Sequence, residues 1–188
     1  NHYFYQPRGI AGVIAPWNFP MAISAGMCAA ALVAGNCVVY KPAGTSSVTG
    51  YQLAQLFREA GVPGGVFQFV PFRGDVLGEY LVEHPDINII AFTGSRDVGL
   101  GILERAHRFK KTQQNIKKVI CELGGKNSII IDDDADLDEA IPQVLSSAFG
   151  YQGQKCSACS RVIILEGIFQ KCIKRLRDAA ASLDIGPA

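Results

Sequence analysis

The feature that most restricts what this chain can fold into is a rhythm. Up to Leu123, short apolar runs alternate with longer stretches of helical period. Candidate strands at residues 9–14, 37–41, 66–70, 87–92 and 118–123 are separated by candidate helices at 21–34, 48–60, 75–83 and 98–109. Strands and helices that alternate at this pitch build a parallel sheet with helices on both faces, because each crossover must return the chain to the same end of the sheet. The 48–60 helix puts Leu53, Leu56 and Phe57 on one face. Gly61-Val62-Pro63 then ends it with a permissive residue followed by a breaker.

After Leu123 the pattern changes. Gly124-Gly125 interrupts it, residues 127–131 read as a further strand, and Asp132-Asp133-Asp134-Ala135-Asp136 opens a helix over 137–148. Carboxylates suit the positive end of a helix dipole. The acidic run lacks the glycine and closing glutamate of a calcium loop, so capping is its expected role. A strand over 161–165 and a helix over 168–183 follow. The expected organisation is therefore α/β, with a domain over residues 1–123 and the first part of a second α/β domain over 124–188.

Charge excludes some partners. Lys plus Arg number 18 against 17 acidic residues, a net charge of +1, which provides no field for nucleic acid or an anionic membrane. Residues 19–40 carry no charge, but the run breaks at Gly35-Asn36, from an alanine-rich half to Val38-Val39-Tyr40. A helix followed by a buried strand is expected there, not a membrane span. Cys28, Cys37, Cys121, Cys156, Cys159 and Cys172 are scattered with no secretory leader before them. They read as reduced thiols of a cytoplasmic or mitochondrial-matrix protein. The chain opens at Asn1 without Met and stops just after a helix pattern, as expected of a piece of a longer protein.

Chemistry-bearing residues lie where elements end. Cys156, in Gly153-Gln154-Lys155-Cys156-Ser157-Ala158, sits between a helix and a strand beside a lysine, a setting that favours a thiolate nucleophile. A packed structural cysteine reads equally well from local sequence alone. Cys156 and Cys159 are spaced as a dithiol or half a zinc site, but no second pair follows and His2, His84 and His107 are isolated, so no metal is expected. Glu122 ends a strand before a glycine pair, where desolvation would suit a general base; a surface glutamate is the plain alternative. Asn18, in Ala15-Pro16-Trp17-Asn18-Phe19-Pro20, is a candidate oxyanion donor or a turn asparagine. Gly94-Ser95 precedes a helix whose first amides could approach a phosphate, and Lys41 at a strand end is either a ribose contact or simply solvated.

Each of these signals is weak alone, but their order is specific. Ala15-Pro16-Trp17-Asn18-Phe19-Pro20, Gly35-Asn36 leading to Lys41-Pro42-Ala43, Phe92-Thr93-Gly94-Ser95, Glu122-Leu123-Gly124-Gly125-Lys126 and Gly153-Gln154-Lys155-Cys156 together resemble the aldehyde dehydrogenase superfamily. The segments 149–158 and 81–85 look most like the branch that oxidises glutamate γ-semialdehyde, the open form of 1-pyrroline-5-carboxylate. The resemblance implies a Rossmann-like NAD-binding domain followed by a catalytic domain, an aldehyde as small-molecule substrate, and a homo-oligomeric parent. It implies Cys156 as nucleophile, Asn18 and the Cys156 amide as oxyanion donors, and Glu122 as base. Lys41, Gly74, Gly78, Gly94 and Ser95 match cofactor-contact positions, as do the backbone at Ala15 and Trp17, with Val98 at the adenine side. Many relatives carry a ribose-binding carboxylate where this chain has Gly44, which leaves NADP open beside NAD.

Overall fold

The apolar runs pair side by side. In a computed structural model, which describes residues 1–74 and 78–186, β1 (Ile10–Ile14), β2 (Cys37–Lys41), β3 (Phe67–Phe69), β4 (Ile87–Thr93) and β5 (Lys118–Glu122) form one sheet in the order β3-β2-β1-β4-β5. Every neighbouring pair is parallel. These strands belong to the first of two compact units, Asn1–Gly124 and Gly125–Ala188. The helices of the first unit are α1 (Ala22–Val33), α2 (Ser47–Glu59), α3 (Glu79–Glu83) and α4 (Arg96–Ala106). Asp75, Val76 and Leu77, where the third helix was expected to begin, lie outside the described residues.

Strand side chains alternate between faces, so β1 feeds two cores. Val13 and Ala15 pack with Cys28 of α1 and Leu53 of α2, together with Val38 and Tyr40. Ile14 packs on the other face with Leu81 and Val82 of α3 and Ile102 of α4, beside Ile90 and Phe92. The parallel sheet with helices on both faces is the expected fold. Chain order runs outward from β1 to β3, then returns across β1 to lay down β4 and β5. The winding therefore reverses between β1 and β4, and a reversal of this kind opens a crevice at the carboxyl ends of the strands.

Local chemistry sets the helix ends. Gly35 (φ +83°) and Gly61 (φ +87°) take left-handed angles just past α1 and α2. At each, two backbone amides fold back on the last turn: Gly35 N to Leu32 O and Asn36 N to Ala31 O, then Gly61 N to Arg58 O and Val62 N to Phe57 O. One expectation for α2 needs correction: Leu53 is buried and Phe57 half-buried, but Leu56 stands 53% exposed. At about 100° per residue, Leu56 turns away from the line through Gly50, Leu53 and Phe57 that meets the sheet. The uncharged run 19–40 is α1 followed by β2, and among the described residues no helix is long and apolar enough to cross a membrane.

The second unit pairs β6 (Asn127–Ile131) with β7 (Cys159–Ile164) in parallel and covers them with α5 (Leu137–Phe149) and α6 (Phe169–Ala181). Ile131, Leu137, Ile141, Val144 and Cys172 are its buried core. The acidic run caps α5: the Asp136 carboxylate accepts the Asp138 amide at 2.8 Å. β7 begins at Cys159, two residues before the expected 161, because the pairing shifts register at its start: Asn127 faces Cys159 and Ser128 faces Arg161.

Candidate functional site

In the first unit the carboxyl ends of β1, β2, β4 and β5 carry the residues singled out in the sequence. Ala15 follows β1, is buried, and donates its amide to Lys41 O at 3.1 Å, which ties the ends of β1 and β2 together. Trp17 is 53% exposed, and its carbonyl accepts from Ser46 Oγ at 3.5 Å. Asn18 is half-buried in the turn that leads into α1. Gly94 follows β4 and donates its amide to Glu122 O at 3.1 Å, so the β4 and β5 ends are tied in the same way. The Glu122 side chain is exposed at the end of the edge strand.

Lys41 is not the solvated lysine that a strand end usually offers. It is 5% exposed, and its Nζ donates to Pro42 O at 3.0 Å. Loss of water pushes its pKa below the ordinary lysine value. Gly74 lies over the same side chain: a Cβ there would stand 3.8 Å from Lys41 Cε and 3.9 Å from Nζ. The two expected cofactor positions are therefore adjacent. A Cβ on Gly44, by contrast, would meet nothing within 4 Å.

The α4 end of the crevice suits an anion. Ser95 is the N-cap in extended conformation, and its side chain makes no capping hydrogen bond. Ser95 therefore does not cap the first amides of this 11-residue helix with its own side chain, and amides at a helix start can face an anion. Glycine is needed just before it, since a Cβ on Gly94 would lie 2.5 Å from the Phe92 ring. Val98 is 53% exposed on α4, and Gly78 precedes α3, where a Cβ would meet nothing within 4 Å among the described residues. A dinucleotide fits these residues: backbone amides for phosphate, a buried ammonium for ribose or phosphate, and exposed apolar surface for a ring.

In the second unit Cys156 is exposed in a turn between α5 and β7, and backbone bonds shape that turn on both sides. Before it, Tyr151 and Gln152 hold left-handed angles of φ 57° and 56°, followed by Gly153 at φ 69°. Such angles in non-glycine residues are held only where the surroundings impose them. After it, Ala158 N donates to Lys155 O at 3.1 Å. Lys155 Nζ turns back to Ser146 O of α5 at 3.5 Å, and Ser147 Oγ accepts the Cys159 amide at 3.2 Å. Cys28, Cys159 and Cys172 are buried, and burial pushes the Cys28 thiol up to about 12. Among the described residues no cluster of His, Cys, Asp and Glu could hold a metal ion.

Sequence reasoning passed over Asn127. Its side-chain amide donates to Cys156 O at 2.6 Å and to Ala158 O at 3.1 Å. The available signal was an asparagine at the first position of a strand, directly after Gly124-Gly125-Lys126, where a polar side chain has backbone to satisfy.

Comparison with known proteins places this geometry among relatives. The chain matches the aldehyde dehydrogenase family over residues 1–188. It is 48% identical over 186 residues to the 1-pyrroline-5-carboxylate dehydrogenase of Geobacillus thermodenitrificans (strain NG80-2), covering 99% of this chain and 36% of that protein. A Thermus 1-pyrroline-5-carboxylate dehydrogenase solved with bound NAD superposes with a TM-score of 0.90 at 47% identity, over 96% of this chain and 35% of the other. Proline utilization A from Bdellovibrio bacteriovorus, inactivated by N-propargylglycine, gives 0.91 at 53% identity, over 97% of this chain and 19% of that one.

Proposed function

Because the chain belongs to the aldehyde dehydrogenase family, we propose that the whole protein oxidises an aldehyde to a carboxylate with NAD, and that the aldehyde is L-glutamate γ-semialdehyde. The observation that carries this reading is the reversal of winding between β1 and β4, with Ala15, Trp17 and Asn18 after β1 and Gly94 and Ser95 after β4. The substrate rests on the named relatives, of whose length this chain spans 36% in the Geobacillus protein. NAD rests on the Thermus relative solved with it. Gly44 brings no carboxylate to the ribose, so Lys41 and backbone would hold the sugar.

The side chains divide the chemistry. Cys156 Sγ, as thiolate, forms a bond to the aldehyde carbon, and the carbonyl electron pair moves onto oxygen. The Asn18 side-chain amide and the Cys156 N–H hold that oxyanion. Bound NAD supplies the acceptor for the hydride that the carbon then gives up. Cys156 is left carrying the acyl group as a thioester. Glu122 takes a proton from water as the water oxygen attacks; the C–S bond breaks, and carboxylate and thiolate are released. Lys41, Gly74, Gly78, Gly94 and Ser95, with the backbone at Ala15 and Trp17, would hold the dinucleotide, and Val98 would pack at its adenine side.

In the full-length protein, Cys156→Ala should abolish NADH formation from glutamate γ-semialdehyde while calorimetry still detects NAD binding. Undiminished turnover in that variant would sink the nucleophile assignment.

A further inference from the structure

Side-chain hydrogen bonds join the start of β6 to the segment around Cys156, all within the second unit. Asn127 Nδ2 donates to Cys156 O and Ala158 O at 2.6 and 3.1 Å. Ser160 Oγ returns a bond to Asn127 O at 3.3 Å, and Arg161 Nε donates to Lys126 O at 3.1 Å. The β6–β7 register shifts at this point, so Ser160 is the extra residue of a bulge. Bulges next to a site re-aim the side chains around them. Gly125 borders this contact: a Cβ there would stand at ordinary packing distance, 3.4 Å from Asn127 Oδ1 and 3.8 Å from Cys156 O.

Both acceptors of the Asn127 amide are carbonyls of the segment that carries the thiol, one of them that of Cys156 itself. Holding the carbonyl of a residue fixes the rotation of its own backbone, and with it the direction of its Cα–Cβ bond. From the other side, Lys155 and Cys159 are tied to α5 through Ser146 O and Ser147 Oγ. We propose that Asn127 is a positioning residue that aims the Cys156 thiol by clamping the carbonyls of Cys156 and Ala158. This rests on Cys156 being the nucleophile. Asn127 touches no reacting atom; it acts through the loop.

The test uses the full-length protein in a Cys37→Ser background, which removes the other thiol that is exposed among the described residues. Asn127→Ala deletes the amide, and Asn127→Asp keeps its shape while replacing the donor with a carboxylate. Both should lower kcat per titrated active site by about tenfold to hundredfold, the scale of an ångström-level misplacement, with the KM for NAD held within about twofold. Asn127→Asp should also move the pH midpoint of Cys156 alkylation by iodoacetamide upward, since added negative charge disfavours the thiolate. A residue that only supports the fold would lower the melting temperature and leave both readouts alone. Wild-type kcat per site and an unmoved midpoint in Asn127→Asp overturn the proposal.

If neither variant folds, hydrogen exchange of the wild-type protein decides. The Gln154 and Ala158 amides, bonded within the turn, should exchange as slowly as those of β6, and exchange at free-loop rates overturns the clamp. Turnover persisting in Cys156→Ala would instead remove the nucleophile reading, while the alkylation midpoint still reports whether Asn127 positions the thiol.

Discussion

Alanine at Gly94 puts the carboxyl end of β4 under a measurable load. Its Cβ would stand 2.5 Å from Phe92 Cζ and 3.0 Å from Cε2. Carbon contacts are comfortable near 3.5 Å, so ring or backbone must give by about 1 Å. The ring has little freedom: Phe92 is 5% exposed, packed in the core with Ile90 and Ile102, and a Cβ on Gly99 would lie only 3.3 Å from its Cε1. Overpacking of this kind costs about 1–3 kcal/mol. If the backbone yields instead, the Gly94 N–H loses its bond to Glu122 O, worth about 1 kcal/mol. Gly101 is the matched control. It lies inside α4, where a Cβ would meet nothing within 4 Å, so alanine there should gain about 0.5–1 kcal/mol. The two variants should therefore differ by about 1.5–4 kcal/mol in urea unfolding at equal m-value. Calorimetry should find NAD binding weakened by about tenfold or more in Gly94→Ala, through loss of amide alignment, and unchanged in Gly101→Ala. Equal urea midpoints would refute the steric reasoning. A lowered midpoint with wild-type NAD affinity would take the β4 end out of the cofactor site.

Two further outcomes follow from buried polar groups. Lys41→Met should weaken NAD binding by about tenfold to hundredfold, the worth of a charge-assisted contact. The same variant should be more stable than wild type at neutral pH, because burial lowers the folded-state pKa of Lys41 and the charged form carries a desolvation cost there. That cost is relieved as pH rises through the lowered pKa toward the ordinary lysine value, so the stability gap should close in alkaline buffer; a gap independent of pH would contradict it. Asn36→Ala should cost about 2–4 kcal/mol, since it strands the Arg8 and Gly9 amides that Asn36 Oδ1 accepts at 2.7 and 3.2 Å and removes the bond from Nδ2 to Ala31 O. A change in urea midpoint worth less than about 0.5 kcal/mol would show that water satisfies those amides instead.

Much of the fold was legible in the residue order. The apolar runs gave the strands to within a residue or two, because a buried parallel strand has to be apolar on both faces and short. Gly35 and Gly61 marked helix ends through their left-handed freedom, and Asp136 marked a helix start through its carboxylate. Leu56 shows where period alone falls short: apolar spacing names a stripe, but the sheet beneath α2 takes up only the part through Leu53 and Phe57. For the candidate site, local sequence set Cys156 apart from Cys28 by its place in a loop beside a lysine, and the structure leaves the first exposed and the second buried; the roles of Asn18, Glu122 and Cys156 came from the order of the motifs.

What the sequence determined by itself was the kind and extent of each element, because propensity, capping and periodicity act within a few residues. What only the tertiary structure decided was which elements are neighbours. The β1–β4 pairing joins residues far apart in the chain and places the reversal, and with it the crevice, beside Ala15 and Gly94. The burial of Lys41 against Gly74 and the reach of Asn127 to the Cys156 carbonyl are of the same kind. Each depends on strand register and loop closure, where the energy comes from contacts that no local window of sequence contains.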